Sequence, residues 1–256
     1  MPRTAIALLV ALAATAAAES RADGPAGSIV ELKGGEGPIK GYLAKPPGDG
    51  PFPAVVLVHE WWGLTDWVKG NADRLAARGY VALAVDLYKG KVTDDPEIAH
   101  QLSRLDPAGA VADLEGGVAY LRAQAFVNPK RKVGAIGWCM GGMFARLVAQ
   151  GSDQIGPTVV CYGMVSTEPG QVKLLKGKPV LGIFAEEDHI PVAKVEQFAA
   201  ALRAQGNPVT LKVYPKAGHG FMRPGGKTFN EEAAGDAWKN IDEFFKVNLK
   251  DKVTTF

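Results

Sequence analysis

The stretch Gly137-Trp138-Cys139-Met140-Gly141-Gly142 decides how the chain is read. An apolar run of strand length, Lys132-Val133-Gly134-Ala135-Ile136, leads into it. A run with helical spacing, Met143-Phe144-Ala145-Arg146-Leu147-Val148-Ala149, leads out. Strand, tight turn and helix are the setting in which G-x-S-x-G holds a nucleophile on a strained turn, here with Cys139 in the serine position. Side chains two positions either side of that residue would meet the neighbouring strand and helix, which explains the glycines. A helix N-terminus under the turn favours a thiolate and the oxyanion it generates. G-x-C-x-G alone also describes a Gly-rich turn around a buried, inert cysteine. The rest of the chain separates the two.

Outward from this stretch, strand and helix patterns alternate. Ser28 to Lys33 and Ile39 to Lys45 flank a Gly/Pro turn and predict a hairpin. Ala54 to His59 and Tyr80 to Val85 are continuous apolar runs, as expected of strands buried on both faces. Thr158 to Tyr162, Pro179 to Ala185 and Val209 to Tyr214 predict three more strands. Helical spacing covers Trp67 to Arg78, Ala108 to Gln124, Val192 to Gln205 and Asn230 to Leu249. The pattern predicts an α/β fold: a mostly parallel central sheet, opened by an antiparallel N-terminal hairpin, with helices on both faces. In such sheets the chemistry gathers at the carboxyl ends of the strands.

Three groups fall there. Cys139 follows one strand, Asp188 follows the strand ending at Ala185, and His219 follows the strand ending at Tyr214. Nucleophile, acid, histidine is the chain order of the α/β-hydrolase fold. The residue types divide the work: a thiol attacks acyl carbon, an imidazole moves protons, and a carboxylate orients the imidazole. Glu186 and Glu187 stand beside Asp188 as alternative acids, and His219 could also be a turn histidine between glycines.

At this point the chain resembles the dienelactone hydrolase family over nearly all of the sequence after its leader. The matching stretches are His59-Glu60-Trp61-Trp62-Gly63-Leu64, Asp86-Leu87-Tyr88, Gly137 to Gly142, Asp188 before Pro191, and Gly218-His219-Gly220-Phe221. The resemblance implies a single-domain α/β-hydrolase that opens dienelactone, an unsaturated cyclic ester, to maleylacetate without a cofactor. It implies a triad of Cys139, His219 and Asp188, with Glu60 activating the thiol. The oxyanion hole would be the backbone N–H groups of Trp61 and Met140. Of the two arginines that hold the substrate carboxylate in that family, Arg223 matches one. The other should follow Asp86-Leu87-Tyr88, where this chain has Lys89-Gly90-Lys91, so Lys89 or Lys91 would serve as a point charge. Trp61 and Trp62 read equally as pocket wall or core packing. His59-Glu60 begins like H-E-x-x-H, but position 63 is glycine and the stretch ends a strand, so no metal is expected.

Composition bounds the partners. The 256 residues are 47% hydrophobic and 22% charged, with 29 basic and 27 acidic residues. That balance gives no reason to expect nucleic acid. Arg3, the apolar run from Ala5 to Ala14, and Ala16-x-Ala18 have the three parts of a secretory signal peptide. Residues 1–18 are therefore expected to be removed, leaving 19–256 as one domain that is secreted or periplasmic and not stably bound to membrane. An oxidising compartment would permit a Cys139–Cys161 disulfide, but pairing would disable a nucleophile, so both thiols are expected to be free. The sequence thus predicts a hydrolase of small esters or lactones, a monomer or small homo-oligomer. A general carboxylesterase or thioesterase, and a ligand-binding scaffold without activity, are the alternatives. A thiol-redox protein would need C-x-x-C, which is absent.

Overall fold

The computed structural model describes residues 27–250. The signal-peptide reading, residues 1–18, lies outside them. The hairpin strands β1 (Ser28–Gly34) and β2 (Gly37–Ala44) are antiparallel, and β2 joins the sheet antiparallel to β4 (Val81–Val85). The other strands run parallel: β3 (Ala54–Val58), β5 (Val133–Trp138), β6 (Ile155–Cys161), β7 (Val180–Glu187) and β8 (Val209–Gly218). The sheet order is β1-β2-β4-β3-β5-β6-β7-β8.

Alternate strand residues face opposite ways, which gives the sheet two cores. Val56 and Val58 join one with Leu114 and Val118 of α3 (Pro107–Arg122), Phe144 and Val148 of α4 (Met140–Gly151), and Phe198 and Leu202 of α6 (Val192–Ala204). Val55 and Leu57 join the other with Val68 and Leu75 of α1 (Asp66–Ala77) and Trp238 and Phe245 of α7 (Glu231–Leu249). Two short helices were not expected from apolar spacing: α2 (Pro96–Leu102) and α5 (Pro169–Lys173). Each has proline in its first turn, where the missing N–H costs nothing. Asp95 caps α2 by accepting from the Glu97 and Ile98 N–H groups. No helix among the described residues is long and apolar enough to cross a membrane.

Two boundaries matter for the site. Helix α4 starts at Met140, three residues earlier than apolar spacing suggests, so Gly141 and Gly142 form its first turn. Strand β8 runs on to Gly218, with a register shift against β7 between Ala185 and Glu187 and a left-handed Lys216 at φ 57°. The longer strand delivers His219 to the level of Asp188.

Candidate active site

Cys139 sits between β5 and α4 at φ 56° and ψ −121°, a conformation that non-glycine residues rarely adopt. Such a residue costs about 1–3 kcal/mol, so the surroundings must hold it there. They do so through backbone contact. The Cys139 N–H donates to the Cys161 carbonyl at 3.0 Å, and the Cys139 carbonyl accepts from Gly142 at 3.0 Å. A Cβ on Gly141 would run into the carbonyls of Val58 and His59, and one on Gly137 into the Gly141 carbonyl. These glycines let β3, β5 and α4 close around the turn.

Asp188 and His219 meet at the ends of β7 and β8. The His219 Nδ1–H donates to the Asp188 carboxylate, at 3.0 Å to Oδ1 and 2.9 Å to Oδ2. Asp188 is 1% exposed at its side chain, and the Ile190 N–H donates to it at 3.2 Å. Burial pushes its carboxyl up, but the His219 hydrogen bond and charge, the Ile190 N–H and His189 together outweigh this and hold it below its usual range. Burial likewise pushes His219 down, and the opposing hydrogen bonds and charges of Asp188 and Cys139 raise it to about 10. The imidazole therefore holds the carboxylate by a direct hydrogen bond and lines the same cavity as the thiol. Glu186 and Glu187 are exposed, and Glu186 accepts from the Lys216 N–H, so Asp188 is the acid that faces His219.

The loop after β3 brings the second carboxylate. Glu60 is 4% exposed, and burial pushes it up to about 7 against the pull of Arg223, His219 and the Tyr162 hydroxyl. Arg223 Nε lies 3.7 Å from Glu60 Oε2, and the guanidinium stacks 4.9 Å over the Trp62 ring. Tyr162 donates to Glu60 at 3.5 Å from a backbone at φ 38°. The neighbouring His59 is fully committed: Nδ1–H donates to the Glu60 carbonyl at 2.6 Å and Nε2 accepts from the Leu87 N–H at 3.2 Å. That leaves it no ring nitrogen for a metal. Asp188, His189 and His219 do bring ligand-type atoms within 4.8 Å of one another, but both Nδ1 atoms already face the carboxylate.

Trp61 and Trp62 stack edge to face at 4.9 Å, and both line a cavity of about 740 Å³ that reaches Cys139, Glu60, His219 and Arg223. Among the described residues, neither the Trp61 nor the Met140 backbone N–H has a protein acceptor. Lys89 and Lys91 are exposed and do not line this cavity. The reason is local: Asp86 accepts from the Tyr88 and Gly90 N–H groups and curls the chain into a turn, with Lys89 left-handed at φ 52°. Lys227 lines the cavity instead, on the glycine-rich loop after Arg223. Sequence reading missed Lys227, Tyr162 and His189. The Gly225-Gly226 pair beside Lys227 was the available signal for the first.

Sheet order, the strained turn and the groups at three strand ends define an α/β-hydrolase fold. The dienelactone hydrolase family pattern matches residues 39–249, and the chain belongs to that family of carboxylic ester hydrolases. It is 31% identical over 240 residues to a Methylorubrum extorquens protein named "Putative carboxymethylenebutenolidase", covering 88% of this chain and 82% of that one. It is 32% identical over 235 residues to Protein usf of Aquifex pyrophilus, covering 87% and 99%. The fold also matches a metagenomic dienelactone hydrolase-like promiscuous phosphotriesterase, with TM-score 0.77 and 23% identity over 88% of this chain and all of that one.

Proposed function

We propose that the chain hydrolyses small carboxylic esters or lactones through Cys139, His219 and Asp188. The observation that carries this reading is the His219 imidazole, hydrogen-bonded through Nδ1 to the buried Asp188 and lining one cavity with the Cys139 thiol. His219 takes the thiol proton, and the thiolate adds to the carbonyl carbon. The Trp61 and Met140 N–H groups receive the oxyanion. Collapse breaks the ester C–O bond, and His219 returns its proton to the leaving alcohol. A water then loses a proton to His219 and attacks the thioester, releasing acid and regenerating the thiol. Asp188 keeps the imidazole oriented throughout.

Glu60 acts on the resting thiol through this charge network, and Arg223 offers an acidic substrate group a cation beside the site. The open position of Lys89 and Lys91 favours Lys227 as the second cation. On the strength of residues 1–18, the same reading has the protein exported and processed; an N-terminus still at Met1 or Pro2 in exported protein, by mass spectrometry, contradicts it. Activity is tested with a chromogenic acetate ester, with and without a thiol alkylator. Turnover abolished by alkylation and by Cys139→Ala is expected, and turnover surviving both overturns the reading.

A further inference from the structure

Cys139 and His219 face two cavities, not one. Adjoining the larger cavity, a more open chamber of about 260 Å³ lies at the same two residues, with Trp61 and His189 also shared. The two differ in chemistry. The larger one adds charged and polar groups: Glu60, Asp94, Arg223, Lys227 and Thr228. The smaller adds Met140, Met143, Met164 and Ile190. Its two hydroxyls are already spent: Ser103 donates to the His100 carbonyl at 2.9 Å and Tyr162 to Glu60 at 3.5 Å. Apart from the His189 and His219 imidazoles and the Trp61 indole that it shares with the larger cavity, the rest of its lining is carbon and sulfur.

Three methionines around one chamber make an adaptable apolar wall, because thioether chains are unbranched and polarisable. Met164 is 43% exposed, an apolar side chain left in contact with water. An apolar cavity of about 150 Å³ holds a benzene ring. The chamber is larger than that, so a phenyl or six-carbon alkyl group fits.

We propose that this chamber is a second substrate subsite, which takes an apolar substituent on one side of the scissile carbonyl while the charged cavity takes the other side. The substrate class is then an amphiphilic ester or lactone, polar or acidic at one end and aliphatic or aromatic at the other. This rests on the proposed role of Cys139 as the reacting thiol, and Met143, Met164 and Ile190 become specificity-determining residues.

The test reads chamber occupancy without turnover. N-methyl-, N-butyl- and N-hexylmaleimide add the Cys139 thiol across their double bond, and the rates of modification of the full chain are compared. Each fully buried methylene is worth up to about fourfold, the equivalent of about 0.8 kcal/mol. At least about a tenfold preference for N-hexyl over N-methyl is expected. Met164→Trp, which fills the chamber, and Met164→Asp, which makes it polar, should both collapse that preference. The position is exposed enough for either variant to fold. No tail preference in the parent chain, or a preference that both variants keep, overturns the subsite. Ester turnover separates the two readings. Alkylation-sensitive hydrolysis without any tail preference leaves the triad standing and removes the chamber. A tail preference abolished by the variants, in a protein that hydrolyses no ester, keeps the chamber and removes the triad.

Discussion

The loop after β3 and the loop after β8 each place a histidine beside a carboxylate at the end of the sheet, and the two are put to opposite uses. His59 is fully buried, donates to a backbone carbonyl and accepts from a backbone N–H, and burial pushes it down, so it stays neutral. His219 is partly exposed and donates to a carboxylate, and it is raised to about 10. The partners on the ring nitrogens make the difference. Backbone groups at both nitrogens turn an imidazole into a loop staple. A carboxylate at Nδ1 with the other nitrogen toward a thiol leaves it able to carry a proton. The carboxylates differ in parallel: Asp188 accepts several hydrogen bonds and stays ionised, while burial of Glu60 outweighs the Arg223 guanidinium 3.7 Å away and raises it to about 7.

Exchanging the two histidines' fates is the strongest way to break this comparison. His219→Ala should lower kcat/KM for an acetate ester by about 10³-fold or more, since it removes the proton carrier while leaving a part-exposed side chain's worth of space. His59→Ala should instead cost about 2–5 kcal/mol in a denaturant titration, because the Leu87 N–H and the Glu60 carbonyl lose buried partners. A His59 variant as inactive as His219→Ala yet fully stable would erase the distinction.

Glu60 supplies a pH signature. Its carboxyl rises from 4.5 to about 7 on folding, so between those values the folded state holds more protons than the unfolded one. Stability must therefore fall as pH rises through that window, by up to about 3 kcal/mol. His219, raised from 6.5 to about 10, contributes stability that is complete below 6.5 and lost as pH rises toward 10. Glu60→Gln should abolish the loss between 4.5 and 7 and leave the later one in place. The same slope in both proteins would place the titration elsewhere.

Smaller effects sharpen the picture of the pocket. Arg223→Ala should lower kcat/KM for esters bearing a carboxylate by about 10- to 100-fold more than for neutral esters, the scale of a charge-assisted hydrogen bond. Lys227→Ala should show a weaker effect of the same sign, and Lys89→Ala none. Cys161 is buried, and burial pushes its thiol well up, so Cys161→Ala should keep activity within about threefold.

What could be read from the sequence divides along the same line as the two loops. Strands such as Ala54–Val58 and Val81–Val85 are buried along their whole length, so an unbroken apolar run announces them. The Cys139 turn is announced by glycines that backbone contact demands. The choice of Asp188 over Glu186 and Glu187 came from the family resemblance alone, because three adjacent acids differ only in which way the end of β7 turns them. Lys227 lines the cavity and Lys89 and Lys91 do not, because a lysine's reach depends on how its loop folds back. Tyr162 read as the last residue of a strand, and only the left-handed backbone there sends its hydroxyl to Glu60.

The central claim is that Cys139 becomes acylated. Mixing the protein with a chromogenic ester, quenching in acid within the first turnovers and mapping peptides by mass spectrometry tests it directly. The account predicts an acyl group on the peptide that carries Cys139, absent from Cys139→Ala, which should be folded and inactive. An acyl group on any other residue during productive turnover, or a Cys139→Ala protein that still hydrolyses the ester, would contradict it.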